Sequence, residues 1–536
     1  MTASSVAAVQ GLAQLAGSAA PANPDTIVCT DPATGERLGE VPVTSPDEVR
    51  EIVRRSRAAQ ERWGATPFEV RRRVLRHILD HVLAHVDELA ELIVRDAGKI
   101  REHALVEIWP VCEKLKTTIA SGERYLRPEP VSAGLFKHKR ARIEYPPLGV
   151  IGIIAPWNYP LQNVLGPAVP ALFAGNGVVV KVSEWTSYSA ARIQRIFDEA
   201  LAAAGQSRDL VRIVTGYGQT GAALVGSGVD KIVFTGSVGN GRRVLAESAK
   251  TLTPVILELG GKDPLIVCDD ADLEQAAHAA IGGAFVSCGQ NCIAPERILV
   301  FDSVYEAFEK RVVEIVGAFR QGPPLAGAIV DVGAMTMPAQ VDIVEKLVND
   351  ALAKGARAVV GGKRRSIGGG RYFEPTVLSG VTPDMAIFQE ETFGPVLALV
   401  RVRDEEEAIR VANGTEFGLS SAVFSRDRAR AERIGARLVA GSTNINDFGL
   451  HYMAQELPFG GVKASGFGRL NGREGLRACT NPKAVLTDRF PIHVPPKMYP
   501  IGPGDYARLR GVLALLYGRG VAARLRALGG ILRAAR

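Results

Sequence analysis

Two cysteines lie close together in the stretch FVSCGQNCIAPER at residues 285–297, where Cys288 and Cys292 flank a Gly-Gln step. A structural zinc site needs about four ligands, and no further cysteine or histidine lies within a few residues of the pair. A redox pair usually has two spacer residues, whereas this pair has three. Two interpretations stay open: a packed core thiol, or a nucleophile whose loop lowers the thiol pKa and offers an oxyanion donor.

A carboxylate stands at the end of an apolar run. Glu258 lies in PVILELGGKDP, where a predicted strand runs into Gly260 and Gly261. Such a group is either paired within the core or lines a cleft at the carboxyl end of the strand. In a dry cleft its pKa would rise, which suits a general base. This stretch alone favours neither alternative.

A strand, a glycine turn and a helix follow one another in DKIVFTGSVGNGRRVLAESAK. Gly236, Gly239 and Gly241 would let a backbone approach a phosphate at the helix N-terminus, although a plain turn is an equal alternative. Glu184, just past the strand VVVKVS, could accept hydrogen bonds from ribose hydroxyls and would favour NAD over NADP. Lys181 in the same strand could also reach ribose, and a surface ion pair is the alternative for both residues.

The elements that would position these groups alternate between helix and strand. Residues 45–125 have helical spacing and begin with a Ser-Pro-Asp-Glu start signal. Two series of short β-branched runs follow, with helical stretches between them, which predicts α/β domains with parallel, doubly wound sheets. The runs are GVIGIIAP, GVVVKVS, LVRIVTG and DKIVFTG, then DPLIVC, ERILVF, ARAVVGG, PVLALVRV and SSAVFS.

Composition narrows the class of protein. The 536 residues are 46% hydrophobic and 23% charged, enough for a large core and two or more folding units. The 6 cysteines are mostly scattered, which favours a reducing compartment. The N-terminus lacks a basic region and predicts a loose tail rather than a signal peptide. The chain has no run of 18 or more uncharged apolar residues, so no membrane span is expected.

The C-terminal stretch from Tyr506 to Arg536 carries seven arginines and no acid, which equals the formal net charge of +7. The rest of the chain is near neutral, so a nucleic-acid partner is not expected. Leucines at helical spacing predict a basic amphipathic helix that can lie on an anionic membrane. The alternatives are a helix packed on its own oligomer and a solvated tail, because five glycines weaken a long helix. Residues 495–504, PPKMYPIGPG, predict a linker.

Over roughly residues 25–490 the chain resembles the aldehyde dehydrogenase superfamily, and most of all a subgroup with a basic C-terminal extension that includes plant and fungal relatives. The motifs stand in the family order and at the family spacings. They are IAPWNYPLQN, KVSE, FTGSVGNG, LELGGK, GQNC, EETFGPV, GLSSAVFS and PFGGVKASGFGR. The resemblance implies an α/β fold with two doubly wound Rossmann-like domains plus a β-arm oligomerisation element.

The resemblance also implies catalytic roles. Cys292 would be the nucleophile that forms a thiohemiacetal and then a thioester, and Cys288 would be a bystander. Asn158 and the Cys292 N–H would hold the oxyanion, and Glu258 would activate the water that hydrolyses the thioester. Since family members that transfer the acyl group to coenzyme A tend to lack this base, Glu258 favours a free carboxylic acid as product.

The implied cofactor is NAD, with NADP as the alternative, and no metal is implied. Lys181 and Glu184 would hold the adenosine ribose, Ser237 the pyrophosphate and Glu391 the nicotinamide ribose. The full set of predicted cofactor contacts is Pro156, Trp157, Lys181, Ser183, Glu184, Gly236, Ser237, Gly241, Leu259, Gly260, Glu391 and Phe393. Val182 replaces the Pro usual in KPSE, and Ser287 stands where the family often has Asn.

Five regions are predicted along the chain. Residues 1–24 form a flexible tail, 25–128 and 148–259 the NAD-binding domain, and 260–446 the catalytic domain. Residues 129–147 and 447–490 form an arm used in a homodimer or homotetramer, and 491–536 the basic extension. The expected location is the cytoplasm, with the inner face of a membrane as a further site if the extension binds lipid.

The expected substrate is a medium- or long-chain aliphatic aldehyde. Such molecules partition into lipid, so they would suit an enzyme whose C-terminal extension binds a membrane. The alternative enzyme is a succinate semialdehyde dehydrogenase, which needs a cation for the distal carboxylate that the sequence does not locate. A binding or structural protein that keeps the fold without turnover is the competing class. The presence of Cys292, Glu258 and Asn158 together argues against it.

Overall fold

The computed structural model describes residues 25–491 and 499–534. The predicted tail at 1–24 and residues 495–498 of the predicted linker lie outside this described part of the chain.

Helices and strands alternate along most of the chain, as predicted. The helices are α1 (Pro46–Trp63), α2 (Phe68–Ala84), α3 (Val86–Ala97), α4 (Arg101–Leu126), α5 (Gln162–Phe173), α6 (Ala190–Ala203), α7 (Gly218–Val225), α8 (Val238–Ala249), α9 (Leu273–Phe285), α10 (Tyr305–Val316), α11 (Pro338–Ala353), α12 (Ala386–Gln389), α13 (Glu405–Ala412), α14 (Arg428–Gly435), α15 (Leu450–Met453), α16 (Gly472–Arg477), α17 (Asp505–Tyr517) and α18 (Val521–Ala534). The strands are β1 (Thr26–Thr30), β2 (Arg37–Pro42), β3 (Glu129–Val131), β4 (Lys139–Glu144), β5 (Val150–Ile154), β6 (Gly177–Lys181), β7 (Val211–Val214), β8 (Lys231–Thr235), β9 (Val255–Glu258), β10 (Asp263–Val267), β11 (Pro295–Phe301), β12 (Arg357–Val360), β13 (Arg364–Arg365), β14 (Tyr372–Phe373), β15 (Thr376–Ser379), β16 (Val396–Val402), β17 (Ala422–Phe424), β18 (Asn444–Ile445), β19 (Gly466–Phe467) and β20 (Lys483–Asp488).

The helical region predicted at residues 45–125 is confirmed by α1 to α4, and its start signal is a capping box. Ser45 Oγ accepts the Glu48 N–H at 3.3 Å, and Glu48 Oε2 accepts the Ser45 N–H at 2.7 Å. Two otherwise unpaired N–H groups are satisfied in this way, so the helix begins at Pro46.

The first large sheet has six strands in the order β19-β9-β8-β5-β6-β7. Strands β5 to β9 run parallel, and β19 is antiparallel to β9. Because β6 lies on one side of β5 and β8 on the other, the strand order reverses between β5 and β8. In such sheets a ligand binds outside the carboxyl ends of the strands at this point.

Both faces of this sheet are buried, which is why its strands are apolar without alternation. Ile151 and Val178 belong to one hydrophobic cluster with the helices α2, α4 and α5. Val150 and Val179 belong to another cluster, with residues of α1 and α7. Successive residues of one strand therefore serve opposite faces.

The second large sheet has seven strands in the order β12-β15-β16-β11-β10-β17-β18. The predicted runs of the second series are all strands here, and β12 pairs antiparallel with β15. Sequence analysis missed β15, since four residues between Pro375 and Gly380 are too few to show a period. Together the two sheets confirm an α/β fold with two doubly wound sheets.

The chain divides into two compact units. Within the described residues, the larger unit comprises 25–128 and 144–483 and holds both large sheets. Of the segment 447–490 that the resemblance gives to the arm, residues 484–490 lie in the smaller unit, while β19 in the larger unit pairs with β9. The predicted domain limits stay a prediction.

Within the described residues, the smaller unit comprises 129–143, 484–491 and 499–534. It includes most of a three-stranded sheet of order β20-β4-β3, and the helices α17 and α18. A Cβ at Gly511 would lie 2.5 Å from the Ile531 side chain, so the glycine lets these two helices approach closely. No helix in the described residues has the length and apolar character to cross a membrane.

Candidate active site

Cys292, Glu258 and Asn158 come from distant parts of the sequence and line one cavity of about 270 Å³. Asn158 follows β5, Glu258 ends β9, and Cys292 lies in the loop between α9 and β11. Gly261 permits the close approach of the last two, because a Cβ there would lie 2.5 Å from the Cys292 carbonyl oxygen. The structure therefore brings together the three residues that were predicted to be catalytic.

The loop that carries the thiol, residues 286–292, has strained backbone angles. Ser287 and Cys288 have φ values of 53° and 59°, in the left-handed region that costs a residue with a side chain about 1–2 kcal/mol. At Gly289, φ is 71° and a Cβ would lie 2.0 Å from a carbonyl oxygen, so only glycine fits. Gln290 ties the turn down: its Nε2 donates to Ser287 O at 3.1 Å, and its Oε1 accepts the Thr336 N–H at 2.9 Å.

Burial and the neighbouring Glu258 carboxylate raise the pKa of the Cys292 thiol well above its usual range. The expectation that the loop lowers this pKa is therefore wrong, because burial and negative charge outweigh the N–H groups of the loop. Burial also raises the pKa of Glu258 to about 7. Its Oε1 has no hydrogen-bond partner among the described residues. Glu258 can therefore accept a proton from the thiol or from water near neutral pH.

Cys288 differs sharply from Cys292, although the two are four residues apart. It is 2% exposed, it is not part of the cavity wall, and burial raises the pKa of its thiol to about 12. Among the described residues no group lowers the pKa of this thiol, which supports the interpretation of Cys288 as a bystander.

The Asn158 side chain is held at both ends of its amide. Its Oδ1 accepts from Asn163 Nδ2 at 3.0 Å, and its Nδ2 donates to Gln290 O at 3.1 Å. Because Asn163 occupies the oxygen, the NH₂ group faces the thiol loop. An amide nitrogen has two N–H bonds, so the second is available to an oxygen bound near Cys292.

Ser287 has its own set of partners behind the thiol loop. Its N–H donates to His103 Nδ1 at 3.1 Å, and its hydroxyl bonds to Tyr159 OH at 3.2 Å. The Lys99 ammonium lies 3.5 Å from the Tyr159 ring centroid and 2.7 Å from Glu107 Oε2. Burial and the charge of Lys99 lower the pKa of His103 to about 4, so it stays neutral and accepts the Ser287 N–H.

The predicted cofactor contacts gather at the carboxyl ends of the strands in the first sheet. Pro156 and Trp157 follow β5, and the Trp157 ring meets Phe393 edge to face with 5.4 Å between ring centroids. Phe393 is fixed by Glu296, whose carboxylate accepts the N–H groups of Thr392 and Phe393 at 2.7 Å and 2.8 Å. Segments next to strands of both large sheets thus meet at this ring contact.

Lys181, Ser183 and Glu184 form one cluster at the end of β6. Lys181 Nζ lies 3.3 Å from Glu184 Oε2, and the Ser183 hydroxyl donates to the same oxygen at 3.4 Å. Lys181 and Ser183 are buried and Glu184 is half-buried. The ion pair named as an alternative therefore exists, and a ribose here would meet donors and acceptors together.

Ser237 begins α8, the helix after β8, and its Oγ accepts the Asn240 N–H at 3.4 Å. It is exposed at the N-terminus of a 12-residue helix, where unpaired N–H groups favour an anion. The neighbouring glycines serve packing. A Cβ at Gly241 would lie 2.6 Å from Leu259, and one at Gly236 would lie 2.7 Å from the ring of Phe234. Gly241 and Gly236 thus allow close packing of the turn, and their predicted contact with the cofactor stays a prediction.

Glu391 reaches the end of β9 from the second sheet. Its Oε1 accepts the Gly261 N–H at 2.9 Å, and a Cβ at Gly260 would lie 2.3 Å from its Oε2. Burial and the Glu296 charge raise the pKa of Glu391 to about 8. Strand ends, a helix N-terminus and this carboxylate together fit an elongated molecule with ribose hydroxyls and a diphosphate.

Sequence analysis assigned no role to Asn163, Gln290 or Lys114. The first two hold Asn158 and the thiol loop, and they carry no pattern of their own beyond their place in the quoted motifs. Lys114 had a signal: it lies on α4 four residues after Pro110 and three after Val111, both buried. A lysine on the apolar face of a helix is a buried or cavity-lining group.

Comparison with known proteins agrees with this geometry. The family model of the aldehyde dehydrogenase family matches residues 19–485. An aldehyde dehydrogenase-like protein of Schizosaccharomyces pombe is 39% identical, covering 92% of this chain and 96% of that protein. Succinate-semialdehyde dehydrogenase from Burkholderia pseudomallei has a TM-score of 0.82 at 35% identity, covering 86% of this chain and 94% of that one. Betaine aldehyde dehydrogenase from Staphylococcus aureus in complex with NAD⁺ has a TM-score of 0.82 at 31% identity, covering 89% and 94%.

Proposed function

This chain belongs to the aldehyde dehydrogenase family, and we propose that it oxidises an aldehyde to the free carboxylic acid through a thioester on Cys292, with NAD or NADP as hydride acceptor. The observation that carries the proposal is the shared cavity of Cys292, Glu258 and Asn158. A thiol, a base and an oxyanion donor at one point are the groups that acyl chemistry needs.

The first step makes a carbon–sulfur bond. Cys292 gives its proton to Glu258 as the sulfur adds to the aldehyde carbon. Because the pKa of the thiol is raised, the thiol needs this base to become a nucleophile. The carbonyl oxygen becomes an oxyanion, and the Asn158 amide and the Cys292 N–H donate to it. A donor of this kind typically contributes about 10²–10³ in rate.

The second step releases the acid. The nicotinamide ring of a bound cofactor would accept the hydride that leaves the aldehyde carbon. The acyl group then stays on Cys292 as a thioester, and Glu258 must lose its first proton before it can act again. With a pKa of about 7 it does so near neutral pH, takes a proton from water, and directs the hydroxide to the thioester carbon. The tetrahedral adduct then breaks its carbon–sulfur bond, the carboxylic acid leaves, and the Cys292 sulfur takes back a proton from Glu258.

The cofactor contacts follow from the strand ends. We propose that Ser237 and the N-terminus of α8 hold the diphosphate, that the Lys181, Ser183 and Glu184 cluster holds one ribose, and that Glu391 holds the other. Gly260 leaves the space that the Glu391 carboxylate occupies. Trp157 and Phe393 would confine the nicotinamide end.

We propose a medium- or long-chain aliphatic aldehyde as the substrate. Beyond the reactive groups the cavity wall is largely apolar, with Val106, Ile293, Leu450 and Phe459 among its residues. Each buried methylene contributes about 0.8 kcal/mol, so longer chains should bind more tightly until the cavity is full. Succinate semialdehyde is the second candidate, because the cation Lys114 lines the same cavity.

The test is the initial rate of NADH formation with a long-chain aldehyde, a short aliphatic aldehyde and succinate semialdehyde, each repeated with NADP. We expect Cys292→Ala to reduce every rate more than about 10⁴-fold. The buried thiol offers a matched control, since Cys288→Ala should leave the rates within about threefold. Turnover that survives in Cys292→Ala, or no turnover of any aldehyde by the unmodified chain, would reject the proposed reaction.

We propose further that the C-terminal helices bind an anionic membrane surface. Within the smaller unit, α17 and α18 expose large apolar side chains between their arginines: Leu509 64%, Leu513 59%, Leu525 63% and Leu532 61%. Flotation with anionic vesicles tests this, and Leu513→Gln with Leu525→Gln should return the protein to the unbound fraction. Full-length protein that never floats would contradict the proposal.

We also propose that the β20-β4-β3 sheet mediates a homodimer or homotetramer, as the family resemblance implies. Light scattering of the full chain gives the mass directly. A monomer at micromolar concentration would contradict this assignment.

A further inference from the structure

We propose that Lys114 and Asn471 form a binding site for a carboxylate at the far end of the substrate chain, so that the enzyme prefers ω-oxo carboxylates to unsubstituted aldehydes. This inference rests on the proposed function, because it concerns the substrate of the same cavity. The inferred substrate class has features of both substrate candidates. It is an aliphatic aldehyde whose far end carries a carboxylate, and succinate semialdehyde is a short member of this class.

The position of Lys114 places a cation in the substrate cavity. Val106, Pro110 and Lys114 are spaced by four along α4, so they share one face of the helix, and all three line the cavity that holds Cys292. Lys114 and Asn471 also line a small adjoining cavity, of about 20 Å³, whereas Cys292 does not. They therefore form the part of the large cavity's wall that also borders the small one.

Lys114 differs from the other buried lysines of the chain. Lys99 lies 2.7 Å from Glu107, Lys262 lies 2.5 Å from Glu296, and Lys181 lies 3.3 Å from Glu184. Lys114 is 6% exposed and, within the described residues, no carboxylate lies within ion-pair distance of it. A buried ammonium is normally paired, so this one has room for an anion that the chain itself does not supply.

The immediate surroundings of Lys114 offer hydrogen-bond donors. Its Nζ donates to Asn471 Oδ1, which leaves two ammonium N–H bonds. Asn471 is 5% exposed, and its Nδ2 has no partner among the described residues. A carboxylate accepts several hydrogen bonds, so it matches this group of donors in charge and in number.

The lowered pKa of Lys114 fits a lysine that has no carboxylate partner among the described residues. Burial lowers the pKa of the Lys114 ammonium to about 7, and the opposing influence comes from the Cys479 thiol rather than from a carboxylate. A bound carboxylate would favour the charged form, as an acidic partner does for any buried lysine.

The path between the thiol and Lys114 suits methylene groups. Gly166 lies in the cavity wall, and a Cβ at that position would meet no atom within 4 Å, so space is open there. Ile293, Phe459 and Leu470 supply apolar contacts in the same wall. In a flexible chain with an aldehyde at one end and a carboxylate at the other, the aldehyde would meet the thiol, the methylene groups the apolar wall, and the carboxylate Lys114.

The experiment compares unbranched ω-oxo carboxylates, from succinate semialdehyde upward, with neutral aldehydes of the same length. We expect the ratio of kcat/KM for the carboxylate to kcat/KM for the neutral aldehyde to fall about 10²-fold in Lys114→Met, mainly through KM. Lys114→Arg should retain most of the preference. The matched control is Lys116→Met, two residues along the same helix but exposed and paired with Glu113, and it should leave the ratio unchanged.

Two further measurements keep the inference separate from the proposed reaction. A linear dicarboxylate of matched length should bind the unmodified enzyme more tightly than Lys114→Met by calorimetry, whether or not turnover occurs. Asn471→Asp, which would pair Lys114 within the chain, should weaken the same ligand. An unchanged substrate ratio in Lys114→Met, an equal loss for both substrates, or equal dicarboxylate binding would overturn the inference. Absence of turnover with every aldehyde would instead reject the proposed function.

Discussion

The two polar regions of the substrate cavity are built in opposite ways. At the thiol end, Asn158 is bonded on both sides of its amide and Gln290 ties down a strained loop. At the lysine end, a buried ammonium has an amide oxygen as its described partner, and the amide nitrogen beside it has none. At the thiol end internal hydrogen bonds hold the groups in position, whereas at the lysine end few internal hydrogen bonds are made.

The difference reflects what each end has to do. Chemistry at Cys292 requires a donor and a base at fixed positions, because an oxyanion is stabilised only by groups that are already in place. Recognition of a ligand requires the reverse, since donors that are satisfied by the protein gain little from a new acceptor. Glu258 combines both properties: it is fixed at the end of β9, yet Oε1 is unpaired among the described residues.

Among variants of the two polar regions, Glu258→Gln should have the largest effect on turnover. The amide cannot accept a proton from the thiol or from water, so kcat should fall about 10²–10⁴-fold. Stopped-flow measurement should also show the acyl-enzyme accumulating, because hydrolysis needs the base in the last step. An acyl-enzyme that turns over at the rate of the unmodified protein would show that another group activates the water.

The unmodified enzyme should lose activity as the pH falls through about 7. Glu258 must be deprotonated to act, and burial raises its pKa to about 7, so the active fraction decreases below that value. The log of kcat/KM against pH measures this directly, and Glu258→Gln should lack the inflection. A profile with the same inflection in both proteins would assign it to a different group.

A smaller effect is expected from the groups that hold the oxyanion donor. Asn158→Ala should lower kcat about 10²–10³-fold. Asn163→Ala leaves the Asn158 amide in place but frees its oxygen end, so we expect a loss of about tenfold in kcat with little change in KM. Rescue by Asn163→Gln would show that Asn163 positions Asn158, whereas equal losses in Asn158→Ala and Asn163→Ala would contradict the assigned roles.

The smallest effect concerns stability at the lysine end. Lys114 has its pKa lowered from 10.5 to about 7, so between these values the unfolded chain binds more protons than the folded one, and its contribution to stability rises with pH. Lys114→Met removes this cost, and we expect the free energy of unfolding near pH 7 to increase by about 1–3 kcal/mol. Thermal denaturation should show the gain shrinking toward pH 10, and a destabilised variant at pH 7 would argue for a structural role instead.

The architecture and the identity of the reactive groups could be predicted from the amino-acid sequence. Periodicity located both series of strands and the helical region at 45–125, because the pattern of burial repeats within a few residues. The motifs GQNC, LELGGK and IAPWNYPLQN supplied Cys292, Glu258 and Asn158 through the family resemblance. Short elements such as β15 were not predicted, since four residues are too few to show a hydrophobic period.

The pKa values and the hydrogen-bond partners of those groups depend on the folded structure. The GQNC loop suggested a lowered thiol pKa, but burial and the carboxylate of a distant strand reverse it. Gly241 matched a phosphate-binding turn, yet it makes room for Leu259. Lys114 bonds to a residue 357 positions away and has no acid beside it in the described chain. The charge partners and free donors of these groups depend on residues that meet only after folding, and for that reason local spacing does not reveal them.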